Sequence, residues 1–381
     1  MEKLRTDFVN EVAAGEMPKT KICAKYSISR VTGDKWLNRF SQGESMANRS
    51  NVPFHTPNKT DPETENKIVN VRLKHPAWGP RKIVRYLENA GETGLPSPST
   101  VGAILMRNGL VSKEASLAAT PYKRFEREQP NELWQADFKG KFLMQDGLYC
   151  HPLTILDDHS RFSLCVDAKP GQRYVTTVES FARVFEEYGK PMSLLCDNGN
   201  PWGTSQSTGY TRFEVWLMQH DVLPIHGRPG HPQTQGKEER FHRTLKAEVL
   251  KHTVIRDFAH AQKEFDEFRI CYNTLRPHNA LNLDTPSTRY KPSTKQVTAV
   301  SDDWEYPQGY QIRKVKSTGI FTLGNQGYFL SEALGDRTVA IHESSVKGCM
   351  NVYFRNFRVG RVNVDERVFV SRKIYRLADG D

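Results

Sequence analysis

The 381-residue chain has no apolar run long enough to cross a membrane, and its mean hydropathy is −0.63, so no spanning helix is expected. The opening residues, 1–7, lack the apolar stretch of a secretory leader. Cysteine is sparse: Cys23, Cys150, Cys165, Cys196, Cys271 and Cys349 form no Cys-x-x-Cys pair and mostly sit inside apolar runs. They read as buried free thiols in a reducing compartment, which excludes a disulfide framework. No His/Cys cluster with zinc spacing occurs near the N-terminus. These absences lead to the expectation of a soluble cytoplasmic protein with no membrane partner.

Acidic charge is in deficit, and the deficit is uneven. Residues 1–130 hold 21 Lys/Arg against 14 Asp/Glu, residues 131–290 hold 19 against 20, and residues 291–381 hold 14 against 10, within a net charge of +10. A polyanion would be gripped by the two flanks, leaving chemistry to the middle.

Apolar spacing in residues 3–15, 19–26 and 30–40 predicts three short helices, with Trp36 and Phe40 facing inwards, arranged as a helix-turn-helix over residues 1–42. Arg30, Lys35 and Arg39 are its candidate DNA contacts. A polar stretch to residue 60 reads as a linker. Asp61-Pro62 then supplies a cap with proline at the first helical position, Pro80 opens a second helix and Ser97-Pro98 a third. That is a second all-α helix-turn-helix over residues 60–113, in which Arg107 is a candidate DNA contact. Residues 114–131 read as another linker.

Strand-like runs occupy 133–142, 149–156 and 162–168, then a helix at 174–188, a strand to Cys196, a helix near 212–219, a strand at 223–226 and a helix from about Gln235. Three strands followed by alternating helix and strand is the order of an α/β core. A further helix is expected over 257–273, a Pro/Ser/Thr linker over 284–303, and short alternating strands over 308–378, read as a small all-β barrel of SH3-like size.

The helix from Gln235 carries the chemistry. Pro229, Gly230, Pro232 and Gly236 keep the preceding stretch irregular, whereas Phe241, Leu245 and Val249 recur at helical spacing. At about 100° per residue, Glu239, His242 and Lys246 share the edge of that apolar stripe, while Glu238 points along it. Upstream, Asp137 interrupts the run 133–142 and Asp197 ends an apolar run at Asp-Asn-Gly. A carboxylate in a strand is costly without a cation beside it, and a divalent metal is the usual remedy.

These residues resemble the DDE recombinases of the retroviral-integrase catalytic-core group, and within it the transposases of bacterial insertion sequences. The matching residues are Trp134-Gln135-Ala136-Asp137, Leu156 to Arg161, Cys196-Asp197-Asn198-Gly199, His231 to Lys246 and Tyr272 to His278. The resemblance covers about 131–288 and implies an RNase H-like core in which Asp137, Asp197 and Glu239 are catalytic and hold two Mg2+ ions, with Mn2+ able to substitute. It implies cleavage that frees 3′-OH ends, followed by joining of those ends to target DNA. Asp197 and Glu239 stand 42 positions apart, more than in many members; the extra length falls in the Gly/Ser/Thr-rich stretch 201–210.

Lys237, Arg240, His242, Arg243 and Lys246 would lie along terminal DNA phosphates, while Asp157, Asp158, His159 and Arg161 would fix a strand end rather than bind metal. The implied partners are double-stranded DNA, both terminal inverted repeats and target, and further copies of the chain, in a bacterial protein that is nucleoid-associated when bound. Two other readings stay open: a DNA-binding regulator with an inert core, and an RNase H-like nuclease that joins nothing.

Overall fold

The computed structural model describes residues 1–49, 59–111, 126–203, 209–227, 236–301, 303–371 and 373–377. The chain divides into two compact units, Met1–Thr60 and Asp61–Asp381. Most of the expected second linker (112–125), part of the Gly/Ser/Thr-rich stretch (204–208) and the Gly/Pro loop from Arg228 (228–235) lie outside the described residues.

The first unit holds α1 (Glu2–Ala14), α2 (Lys19–Lys25) and α3 (Arg30–Ser41). Ser29 caps α3 by accepting a hydrogen bond from the Thr32 amide at 3.1 Å. Phe8, Val9, Ile22 and Cys23 form the core, with Trp36 edge-on to Phe8 at 5.5 Å. Gly33 lets α3 approach closely, since a Cβ there would meet the Phe8 ring at 2.8 Å. Phe40 does not face inwards as its spacing suggested: it is 48% exposed, because so small a core has room for only one ring from α3.

The second unit begins with α4 (Pro62–Lys74), α5 (Pro80–Asn89) and α6 (Pro98–Arg107). Asp61 caps α4 through the Thr64 amide at 2.8 Å, and Ser97 caps α6 through the Thr100 amide at 3.3 Å. Trp78 is fully buried and stacks on His75 at 3.9 Å. These helices pack on the α/β region that follows rather than standing apart: Cys271 joins their apolar cluster and Arg85 reaches Asp284 at 3.4 Å.

The α/β region comprises β1 (Leu133–Phe138), β2 (Phe142–Leu143), β3 (Tyr149–Asp157), β4 (Ser163–Lys169), α7 (Tyr174–Tyr188), β5 (Ser193–Cys196), α8 (Arg212–Gln219), β6 (Leu223–His226), α9 (Gly236–Leu245), whose helix widens to a π-turn over Lys246–Leu250, and α10 (Phe258–Thr274). β3 pairs antiparallel with β1, β2 and β4, while β5 runs parallel to β1 and β6 parallel to β5. One face of the sheet packs Trp134, Ala136, Phe138 and Leu194 against α7 and α8 through Phe181, Phe185 and Phe213. The other packs Leu156 and Val166 against α9 and α10 through Phe241, Leu245, Phe265 and Tyr272.

The stretch expected to be a linker at 284–303 is a strap in its first part. Tyr290 stacks on Phe162 at 4.3 Å and its hydroxyl reaches Asn131 at 3.0 Å; the Lys291 carbonyl accepts from Asn131 at 2.8 Å, and the Lys295 carbonyl from the Lys190 amide at 2.8 Å. Its composition resembles a linker's because its polar groups bond to the core individually, which leaves no periodicity in the sequence.

The C-terminal strands are β7 (Gln311–Lys314), β8 (Ile320–Leu323), β9 (Gln326–Phe329), β10 (Thr338–Glu343), β11 (Cys349–Phe354), β12 (Phe357–Asn363), β13 (Val368–Ser371) and β14 (Tyr375–Arg376). The all-β content matches the expectation, but a closed SH3-like barrel is not what the pairing gives. The strands run β13-β12-β11-β10-β7 as an open sheet, with β14 on β12 and β8-β9 as a separate hairpin. A docked neighbour replaces closure: Tyr210, Val215 and Met218 enter this core, and Arg376 bonds Asp221 at 2.6 Å.

Tyr290→Ala removes both the stacked ring and the hydroxyl contact. The expected loss is roughly 3 kcal/mol in urea unfolding, together with faster proteolysis within 291–301; an unchanged midpoint would mean the strap does not stabilise the core.

Candidate active site

The parallel register of β1 and β5 sets Gln135 opposite Leu195. Two residues further along each strand direction come Asp137 and Asp197, so these two acids leave neighbouring strand ends. Alternation along β1 sends Trp134, Ala136 and Phe138 into the cluster beneath α7 and α8 and leaves Gln135, Asp137 and Lys139 on the α9 face. Asp137 Oδ1 accepts from the Phe138 amide at 2.8 Å. Asp197 Oδ1 accepts from the Gly199 amide at 2.9 Å, and its carbonyl meets His226 Nδ1 at 2.9 Å. The other His226 nitrogen lies 3.0 Å from Glu214, which with Thr211 closes a capping box on α8. Burial opposes the charged His226 ring, but Glu214 outweighs it and holds the ring above its ordinary value.

Two buried acids at the end of β3 hold the frame. Asp157 accepts from the Asn131 amide at 2.7 Å, the Ser160 amide at 2.7 Å and the Ser160 hydroxyl at 2.6 Å. Asp158 accepts from Gln135 at 2.6 Å, from the Arg127 amide at 2.9 Å and from the Lys237 ammonium. Arg161 donates to the Asp158 carbonyl and pairs with Glu126 at 2.9 Å, while His159 Nδ1 meets the Arg127 carbonyl at 2.9 Å. These residues tie a strand end together by hydrogen bonds. Lys237, expected on DNA, is committed to Asp158; burial and Arg161 pull it down to about 8.

On α9, Phe241, Leu245 and Val249 are buried and Glu239 is exposed, while Glu238 is fully buried. His242 bridges to the strands: Nδ1 is 3.8 Å from Asp137 Oδ2, and Nε2 is 2.8 Å from the Thr154 hydroxyl. That hydroxyl also lies 2.9 Å from Glu238 Oε2 and 3.1 Å from the Asp137 carbonyl. It has a single proton to give, and burial followed by the Asp137 charge raises Glu238 well above the usual carboxylate range. Burial and the Lys139 charge push His242 down to about 3. The ring is therefore neutral at pH 7, with its two nitrogens against Asp137 and Thr154.

Burial, then the charge of Asp197, then that of Glu239, push Asp137 up to about 7, against the Phe138 amide bond that lowers it. Among the described residues no three His, Cys, Asp or Glu side chains are gathered closely enough to enclose an ion. The donor chemistry nonetheless fits a hard divalent cation: oxygen ligands whose mutual repulsion only a positive charge relieves.

Of the remaining expected DNA contacts, Arg30 and Lys35 are exposed on α3, and Arg243 and Lys246 lie on α9 with Arg240, outside its buried stripe. Arg39 instead donates to the Ala47 carbonyl at 2.7 Å, and Arg107 is paired with Glu65. Thr154, His226 and Glu214 escaped the sequence reading. Only the Thr211-x-x-Glu214 box had a local signal.

An integrase core domain family matches residues 127–232, a second integrase core domain family matches 220–286, and a homeodomain-like domain matches 32–105. The chain is 29% identical over 168 residues to a protein of insertion element IS476 from Xanthomonas euvesicatoria, covering 43% of this chain and 46% of that one. It is 26% identical over 242 residues to a protein of insertion element IS407 from Burkholderia multivorans, covering 59% and 82%. It is 24% identical over 257 residues to the transposase for insertion sequence element IS904 of Lactococcus lactis, covering 60% and 95%.

Because the folded protein holds the Asp137 proton up to about pH 7, whereas the unfolded chain releases it near pH 4, stability without metal falls as pH rises through that window. Asp137→Asn removes this dependence. The variant is expected to be more stable than the parent at pH 8 by on the order of 2 kcal/mol and equal to it near pH 4, in denaturant titrations with chelator. Parallel pH profiles would refute the assignment.

Proposed function

Through an integrase core spanning residues 127–286 this chain is related to the transposases of bacterial insertion sequences, and on that premise we propose that it joins the ends of a mobile DNA element to target DNA. Asp137, Asp197 and Glu239 are the catalytic carboxylates and would hold two Mg2+ ions, with Mn2+ able to replace them. Bound there, the ions would activate the attacking oxygen and stabilise the leaving one. Water as attacker frees a 3′-OH at the element end, and that 3′-OH as attacker joins the end to target DNA.

The protein's own part is orientation. His242 and Thr154 steady Asp137 from the helix side, His226 steadies the Asp197 loop through its carbonyl, and the Lys237–Asp158 pair pins the start of α9, hence Glu239. Arg243 and Lys246 meet the backbone of the element end, and Arg30 and Lys35 on α3 meet the terminal repeat. Inserting two ends together calls for at least a dimer on DNA.

What supports this reading most is Asp137, an acid pushed up to about 7 in part by the charges of Asp197 and Glu239, residues 60 and 102 positions away in the chain. Glu239 is preferred to Glu238 as third carboxylate because Glu238 is buried against Thr154.

The test is an assay with Mg2+, a labelled duplex of the element end and a supercoiled target. Asp137→Asn, Asp197→Asn and Glu239→Gln are each expected to lower joining by about 10²–10³-fold or more while end binding persists; Glu238→Gln is expected to stay within a few-fold. Cuts without joined products would make the protein a nuclease, and binding alone a regulator. Loss in Glu238→Gln with retention in Glu239→Gln would move the third role to Glu238.

A further inference from the structure

The α9 face of β1 and the strand face of α9 run in step. His242 on the helix meets Asp137 on the strand at 3.8 Å. Two strand residues advance about 6.6 Å and four helix residues about 6 Å, so the pair after Asp137 and His242 is Lys139 and Lys246. The start of the helix lies beside the start of the strand in the same sense: Gln135 and Lys237 both bond Asp158.

Two lysines thus face each other beside the carboxylates without a neutralising acid. Lys139 is half-buried, and neither it nor Lys246 has a side-chain hydrogen bond or an ion pair among the described residues. The charged group that acts on Lys139 from the helix is Lys246. Beside Lys139 lie the buried Cys150 thiol and the His242 ring, and neither is a carboxylate. Lys141, the next residue outward on this line, is taken up by the Tyr149 ring at 4.3 Å. A half-buried ammonium held near a like charge without an acid is destabilising unless an anion completes it.

We propose that Lys139 and Lys246 clamp one backbone phosphate of the DNA strand lying across the carboxylates, making Lys139 a positioning residue for the joining reaction. This deepens the function proposed above and rests on it. One anionic phosphate diester replaces the missing counter-charge, and gripping it from strand and helix at once fixes where along the strand the reacting phosphorus falls relative to Asp137. The clamp reads no base.

The experiment uses the full chain, Mg2+ and element-end duplexes in which single phosphates are replaced, one at a time, by uncharged methylphosphonates. For the wild type, one position close to the joined end is expected to cost about tenfold in joining, the worth of a charged contact. Lys139→Gln is expected to cost a similar factor on unmodified DNA and to lose most of its sensitivity to methylphosphonate at that same position. Its salt slope for end binding is expected to fall by about one, and Lys139→Arg to recover most of the activity. A Lys139→Gln variant with wild-type joining, or one that suffers the full methylphosphonate penalty at every position, overturns the clamp. If the wild type joins no ends at all, the transposase reading fails instead; the salt slope of duplex binding still tests the clamp.

Discussion

The carboxyl pair at the end of β3 is the constraint on which the rest of the α/β region depends. Asp157 and Asp158 are both fully buried, and between them they hold the amides of Arg127, Asn131 and Ser160, the side chain of Gln135 and the ammonium of Lys237. Those groups belong to the entry into β1, to β1 itself, to the turn after β3 and to α9. A buried acid that lost one of these donors would keep its desolvation cost without compensation, so the four segments stand or fall together. The spacing between β1 and α9 inherits its accuracy from that knot.

Around this frame the acids are sorted by environment. Glu238 and Glu239 are adjacent in sequence, yet one helical step sends the first into the core and leaves the second outside it. Asp137 sits between these extremes, protonated or ionised according to what stands near it. Neutral His242 and the Thr154 hydroxyl fill the space between Asp137 and Glu238, so the carboxylates communicate through a ring and a hydroxyl that carry no charge themselves.

Much of this was legible in residue order, for local reasons. The bounds of α7, α8 and β6 follow from periodicity and from caps such as Thr211, and the separation of Glu238 from Glu239 follows from the angle between successive helical residues. What was not legible depends on partners distant in the chain. Phe40 is apolar at a helical spacing but has no core left to enter; Tyr290 lies in a stretch that composition marks as a linker and is held by Phe162 and Asn131. The C-terminal strands alternate as a small barrel would, and only their pairing order, with α8 as neighbour, gives an open sheet. Lys139 carries no motif; its interest comes from which helix residue it opposes.

The burial of Phe241, Leu245 and Val249 sets the rotational phase of α9, and that phase has an evolutionary corollary. Losing the Arg240 codon would turn both glutamates by about 100° relative to the aromatic anchor, bringing Glu238 out to the outward position and Lys237 into the sheltered one. Gains and losses of codons should therefore be purged between Glu239 and Leu245 and tolerated between the buried Trp202 and Tyr210, so the length of that Gly/Ser/Thr-rich stretch can drift among descendants while the interval from Glu239 to Leu245 cannot.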